Sequence, residues 1–235
     1  MVTERDKYKT GRLTARTEAL SLKEDKPAGV YALGLAKEKD TLLYIPEKYT
    51  PTQPAALAVM LHGAGAPAEQ GLSLLRRYAD ELNIILVAPA SRSYSWDIIA
   101  DHSFGPDVIS LDGALAEVFS QYAINKEQLA IGGFSDGASY ALSMGLTNGD
   151  LFTHIIAFSP GFAYTLERHG KPAVFISHGV EDPVLPIDPC GRRIVPQLQQ
   201  QGLEVKFTEF DGGHEIPAAI SEDAVNWFLD GRAQA

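Results

Sequence analysis

The chain of 235 residues has one cysteine, Cys190, which excludes an internal disulfide and any Cys-rich zinc site. It is also short of positive charge. Lys and Arg number 20 against 30 Asp and Glu, for a net charge of −10. Nucleic acid and anionic membrane surfaces are therefore disfavoured as partners, since both call for basic patches. No apolar run approaches bilayer-spanning length, and the segment from Met1 to Tyr8 is charged and unlike a signal peptide. With so few thiols, the expectation is a soluble, cytoplasmic chain. There is no H-E-x-x-H, His214-Glu215 has no second histidine at helical spacing, and no Gly-Lys-Ser/Thr follows Gly63-Ala64-Gly65. No metal, cofactor or phosphate loop is expected.

What the chain does have is length for a full core, 45% hydrophobic residues and an alternating pattern. Residues 1–26 are polar, with alternation only at Leu13, Ala15, Leu20 and Leu22, and read as an arm packed across the domain, with an edge strand as an option. The remainder, 27–235, shows no repeat, low-complexity tract or linker and reads as one domain. Gly29 to Leu35 and Thr41 to Ile45 suit an antiparallel hairpin at a sheet edge, turned by Lys37-Glu38-Lys39-Asp40. Ala56 to Leu61, Ile84 to Ala88, Leu129 to Gly132, Ile155 to Phe158 and Ala173 to Ser177 are continuous apolar runs, as for strands buried on both faces. Val205 to Phe210 adds a further strand. Helical spacing over 68–82, from Pro106-Asp107 to Tyr122, over 136–146, 194–201 and 219–229 fills the intervals. Such alternation predicts a mostly parallel sheet with an antiparallel N-terminal edge and helices on both faces, its reactive loops lying beyond the carboxyl ends of the strands.

Three chemistry-bearing residues fall in such loops. Gly133-Phe134-Ser135-Asp136-Gly137 is a G-x-S-x-G turn between strand and helix, which would lift the Ser135 hydroxyl above the sheet. Asp182 follows the strand ending at Ser177, and His214 follows the one ending at Phe210. A serine hydroxyl needs a base to become a nucleophile, and a base histidine needs an acid to hold its tautomer. The order Ser135, Asp182, His214 is that expected of α/β-hydrolases. Glu181 competes with Asp182, but the Asp182-Pro183 turn favours the latter. Asp211 lies too close to His214 in sequence to orient it and reads as a loop stabiliser. His178 reads as a supporting or packing side chain, and His154 and His169 as structural. For the developing oxyanion, the donors expected are the N–H groups of Asp136 and of Ala64 in the His62-Gly63-Ala64-Gly65 loop, with His62 bracing that loop.

The blocks Leu61 to Gly65, Gly133 to Gly137, His178 to Pro186 and Gly212-Gly213-His214 resemble the carboxylesterase/phospholipase family of α/β-hydrolases, over roughly residues 40–230. That family includes acyl-protein thioesterases and bacterial carboxylesterases, with polyhydroxybutyrate-depolymerase-like esterases as relatives. The resemblance implies Ser135 as nucleophile, Asp182 and His214 as its partners, Ala64 and Asp136 as oxyanion donors, and Trp96-Asp97 near an acyl pocket. Asp136 departs from the glutamine common after the nucleophile. Only Ser159 to Lys171 separate two strands where larger relatives insert a cap, so an open site without a cap domain is expected. Its walls would be Trp96, Phe104, Phe162, Leu185 and Ile216. The activity expected is hydrolysis of small-molecule carboxylic esters with short to medium acyl chains. A thioester, lysophospholipid, feruloyl or hydroxyalkanoate substrate is the nearest alternative, and a non-catalytic binding protein the more distant one. A homodimer held by the arm stays open beside a monomer.

Overall fold

The computed structural model describes residues 8–17 and 26–230. In chain order the strands are β1 (Gly29–Ala32), β2 (Leu42–Ile45), β3 (Ala55–Leu61), β4 (Ile84–Ala88), β5 (Ile124–Phe134), β6 (His154–Phe158), β7 (Ala173–Gly179) and β8 (Val205–Phe210). The helices are α1 (Ala68–Ser73), α2 (Arg76–Leu82), α3 (Asp97–Ala100), α4 (Pro106–Gln121), α5 (Asp136–Thr147), α6 (Gly191–Gln200) and α7 (Ala218–Asp230). The strands form one 8-stranded sheet in the order β1-β2-β4-β3-β5-β6-β7-β8. β1 and β2 pair antiparallel, β2 pairs antiparallel with β4, and every pairing from β4 through β8 is parallel.

The parallel strands read as unbroken apolar runs because both their faces are covered. Every residue of β3, β4, β6 and β7 is buried. On one face, Leu57, Val59 and Ile131 meet Leu111 and Leu115 of α4, Leu142 of α5 and Ile194 of α6. On the other, Ala58, Met60 and Ile156 meet Leu72 of α1, Ala79 of α2 and Val225 of α7. Sheet and helices thus bury two apolar layers, the usual solution for an alternating β/α chain. No helix intervenes between β6 and β7, so among the described residues no cap domain stands over the sheet. Among those residues, too, no helix is long and apolar enough to cross a membrane.

Two expectations change. The apolar spacing over 68–82 belongs to two helices, broken where Leu75 leaves helical geometry at φ −125° and ψ 0°. Gly71 lies so close to β3 that a Cβ there would fall 2.3 Å from the Met60 carbonyl oxygen. With α1 pressed onto the strand, the break re-aims the chain so that Leu72, Leu75 and Ala79 all reach the core. The irregular stretch after β4 contains the short helix α3, which carries no periodicity long enough to read. The described part of the arm forms no strand. Leu13 and Ala15 are buried against the body, whereas Leu20 and Leu22 lie outside the described residues.

Candidate active site

Ser135 sits between β5 and α5 at φ 58° and ψ −121°. This is a conformation that L-residues adopt only under strain of roughly 1–3 kcal/mol, and one that clusters at functional sites. Its N–H is held by the Phe158 carbonyl at 2.9 Å. The flanking glycines are required by contact: a Cβ on Gly133 would lie 2.6 Å from the Gly137 backbone, and one on Gly137 would lie 2.3 Å from the Leu61 carbonyl oxygen. Helix α5 therefore passes directly against β3, and Ser135 stands at the apex with its side chain clear of the sheet.

His214 Nε2 lies 2.8 Å from Ser135 Oγ, and its Nδ1 lies 2.6 Å from Asp182 Oδ2. With Nδ1–H donating to the carboxylate, Nε2 is left as the acceptor for the serine proton. The second oxygen of Asp182 accepts the N–H groups of Val184 and Leu185 at 2.9 and 2.8 Å. Burial alone would raise the Asp182 carboxyl, but the His214 bond and these two N–H groups outweigh it and hold it below the ordinary carboxylate range. Glu181 and Asp211 are exposed and take no part in this chain of contacts. The ring of Phe134 packs on His214 at 4.7 Å between centroids.

The loop after β3 faces the serine: a Cβ on Gly63 would lie 3.5 Å from that of Ser135. Within it the Gly63 N–H is taken by Gln70 Oε1 and the Gly65 N–H by the Tyr94 carbonyl, both at 2.7 Å. The Ala64 N–H has no acceptor among the described residues, and neither has the Asp136 N–H, the first of α5. Two donors are thus left unengaged beside the hydroxyl, one of them at a helix N-terminus where anions are favoured. The phospholipase/carboxylesterase family model matches residues 110–229, just over half of the chain. The protein belongs to that family.

Among curated proteins, a probable feruloyl esterase C of Aspergillus flavus is 26% identical over 171 residues, covering 69% of this chain and 62% of the relative. An acyl-protein thioesterase 1 of Neurospora crassa is 31% identical over 169 residues, covering 67% and 59%. The chain therefore spans less than two thirds of the length of these relatives. Among solved structures, esterase PE8 superposes with a TM-score of 0.65 at 22% identity, covering 80% of this chain and 96% of that one. A phospholipase/carboxylesterase from Dyadobacter fermentans gives 0.64 at 24%, covering 82% and 97%. The shared architecture is the α/β-hydrolase fold.

The side chains expected as cleft walls fall in different surroundings. Trp96 is a correction: only 1% exposed, it is core, not wall. Its ring is sandwiched between His62 at 4.7 Å and Tyr140 at 5.0 Å, and its indole N–H donates to the His62 carbonyl at 2.9 Å. Phe104 is buried as well, against Tyr140 and Tyr164. Leu185 stays half-buried beside Gly161, where a Cβ would approach it to 3.3 Å. Phe162 lines an apolar groove of about 410 Å³ with Ile98, Ile99, His102 and Tyr164. Ile216, two residues after His214, is half-buried. It lines a hollow with Leu74, Arg77 and Ala218. A hollow of about 560 Å³ is lined by His62, the Gly65–Glu69 segment and Tyr94, without Ser135, Asp182 or His214.

Two neighbouring arrangements escaped the sequence reading. Ser95 donates to Asp136 Oδ2 at 2.5 Å, which accounts for the carboxylate next to the nucleophile. Asp97 and Asp107 are buried and bond to each other's loops: Asp107 Oδ2 accepts the Asp97 N–H at 2.7 Å, and Asp97 Oδ2 accepts the Asp107 N–H at 3.0 Å. Burial pushes both carboxyls up, Asp107 to about 6. His62 and His178, both buried, support the loops around the site. His62 accepts the Ser91 N–H on Nε2 and donates from Nδ1 to the Gly63 carbonyl, with burial pulling it below its ordinary value. His178 donates from Nε2 to the Leu185 carbonyl at 2.7 Å and lies 3.5 Å from Asp182 Oδ2. Burial likewise lowers it.

Proposed function

We propose that the protein is a serine hydrolase of carboxylic esters that works through an acyl-enzyme. The observation that carries this reading is the run of contacts Ser135–His214–Asp182, set on a strained turn and facing two unengaged backbone N–H groups. In the first half-reaction Ser135 Oγ attacks the ester carbonyl while His214 Nε2 takes its proton. The carbonyl oxygen gains charge and turns to the N–H groups of Ala64 and Asp136; removing one such donor typically costs about 10²–10³ in kcat. The tetrahedral carbon then expels the alkoxide, which leaves as the alcohol with the proton from His214. Water repeats the sequence on the acyl-enzyme, releasing the acid and restoring Ser135. Asp182 holds the imidazole in the Nδ1–H tautomer throughout and stabilises its cationic form.

The site needs no group beyond these residues, and the partner it implies is a small-molecule ester. The absence of a helical cap among the described residues supports short to medium acyl groups. A feruloyl ester is the second reading, supported by the names of several relatives and by the apolar groove at Phe162. A fluorophosphonate probe should label the wild-type protein and leave Ser135→Ala unlabelled. The same variant should lose p-nitrophenyl acetate and butyrate turnover while keeping its fold by circular dichroism. Labelling of Ser135→Ala, or retained turnover, would sink the assignment. Methyl ferulate against p-nitrophenyl butyrate, ranked by kcat/KM, decides between the two acyl classes.

A further inference from the structure

We propose that the side chains of Ser95 and Asp136 form a positioning clamp that sets the two oxyanion donors relative to one another. This rests on the ester-hydrolase reading above. The two donors belong to different loops: Ala64 follows β3, and Asp136 follows β5. Within the sheet their strands are fixed by the β3–β5 pairing up to Leu61 and Gly133. Beyond those residues the ladder ends, and some other contact must hold the loops in register. The segment after β4 supplies it. Tyr94 accepts the N–H of Gly65 on its carbonyl at 2.7 Å, and Trp96 donates its indole N–H to the carbonyl of His62 at 2.9 Å. These bonds grip the first donor loop on either side of Ala64. Ser95, between them in sequence and buried, grips the second: its hydroxyl donates to Asp136 Oδ2 at 2.5 Å. One tripeptide, Tyr94-Ser95-Trp96, thus holds both halves of the oxyanion site.

At the first position of α5 the Asp136 carboxylate lies where a helix N-terminus favours negative charge, and the Ser95 hydroxyl fixes one of its oxygens. Loss of the Ser95 hydroxyl therefore harms catalysis by freeing the loop that aligns the donors.

The test is a double-mutant cycle on p-nitrophenyl acetate turnover, with Ser95→Ala, Asp136→Ala and the pair together. Each single change should lower kcat about tenfold with KM within about twofold, and the pair should be no worse than the poorer single, as for two residues acting through one bond. Asp136→Asn keeps an acceptor for Ser95 and should recover most of the kcat lost in Asp136→Ala. A trifluoromethyl ketone, which forms an oxyanion on Ser135, should lose affinity in step with kcat. Denaturant midpoints separate this from general loosening; if Ser95→Ala folds poorly, the contrast of Asp136→Asn with Asp136→Ala carries the comparison alone. Losses that multiply in the double variant, a change confined to KM, or equal kcat in Asp136→Asn and Asp136→Ala would overturn the clamp while leaving the hydrolase reading in place. A wild-type protein that neither turns over esters nor takes the fluorophosphonate would overturn both.

Discussion

Trp96 and His62 are joined by a buried hydrogen bond of 2.9 Å, from the indole N–H of one loop to the main-chain carbonyl of another. The indole lies nearly parallel to Tyr140, at 14° and 5.0 Å, so helix α5, Trp96 and the loop that carries Ala64 form one stack. Trp96→Phe keeps an aromatic ring in that stack and removes the donor. A buried carbonyl left without its partner costs about 1–3 kcal/mol. The expected outcome is an unfolding free energy lowered by that amount in denaturant titration, with kcat reduced more than KM is raised. A variant that loses stability but keeps kcat would show that the bond supports the fold and not the oxyanion loop.

Ser135 carries backbone strain that its chemistry alone does not require. At φ 58° and ψ −121°, any residue with a Cβ is strained, and glycine is not. Ser135→Ala keeps the strain and removes the hydroxyl, whereas Ser135→Gly removes both. Glycine adds back unfolded-state entropy worth about 0.5–1 kcal/mol, against strain of roughly 1–3 kcal/mol. Both variants should be inactive, and Ser135→Gly should be the more stable, by about 1 kcal/mol in urea denaturation. A Ser135→Gly variant less stable than Ser135→Ala by about 0.5–1 kcal/mol, the glycine entropy alone, would mean that the turn is not strained.

The parts of this arrangement that could be read in the sequence are those with a local signature. Ala55–Leu61 and Ile84–Ala88 declared themselves as strands because burial on both faces leaves no polar residue in the run. Ser135, Asp182 and His214 stood out because each is a reactive type at the end of such a run. Trp96 was visible as an aromatic residue near the site, but whether an indole faces solvent or core depends on Tyr140, 44 positions away. Nor does anything near Ser95 or Asp136 in sequence announce that they touch. The break at Leu75 was hidden for a different reason: apolar residues continue at helical spacing on both sides of it, and both helices keep those residues in the core.

Asp107 gives the protein a pH dependence of defined sign. Burial raises its carboxyl from the ordinary 3.8 to about 6. Between these values the folded protein holds a proton that the unfolded chain has released. The stabilising contribution is thus complete below about pH 4 and lost as pH rises through 6, in total about 3 kcal/mol at ~1.4 kcal/mol for each of two pKa units. Asp182 and Asp150 are displaced the other way, Asp150 to about 2 through its bond to Arg12, and their contributions fade only at lower pH. Asp107→Asn does not titrate. The stability difference between wild type and Asp107→Asn should shrink in the variant's favour by about 3 kcal/mol from pH 4 to pH 7, read from urea midpoints at each pH. A difference that stays constant across that range would refute the assignment to Asp107.

Asp112, on α4, anchors the N-terminal arm together with Asn148, which bonds the Leu13 N–H and the Gly11 carbonyl. Asp112 Oδ1 accepts the N–H groups of Thr14 and Ala15 at 2.7 and 2.8 Å, and its Oδ2 accepts the hydroxyls of Thr14 and Tyr8 at 2.5 and 3.1 Å. Hydrogen bonds to a buried carboxylate contribute about 1.5–3 kcal/mol each, whereas the exposed ion pairs of Arg12 and Arg16 with Asp150 contribute about 1 kcal/mol or less. Asp112→Ala should therefore release the arm, and Asp150→Asn should barely loosen it. Trypsin reports the difference, since Arg12 and Arg16 lie within the anchored stretch. Cleavage after these residues should accelerate about tenfold or more in Asp112→Ala, and about twofold at most in Asp150→Asn, because opening scales with the free energy removed. If Asp150→Asn accelerates cleavage as much as Asp112→Ala does, the surface charges and not the buried carboxylate hold the arm down.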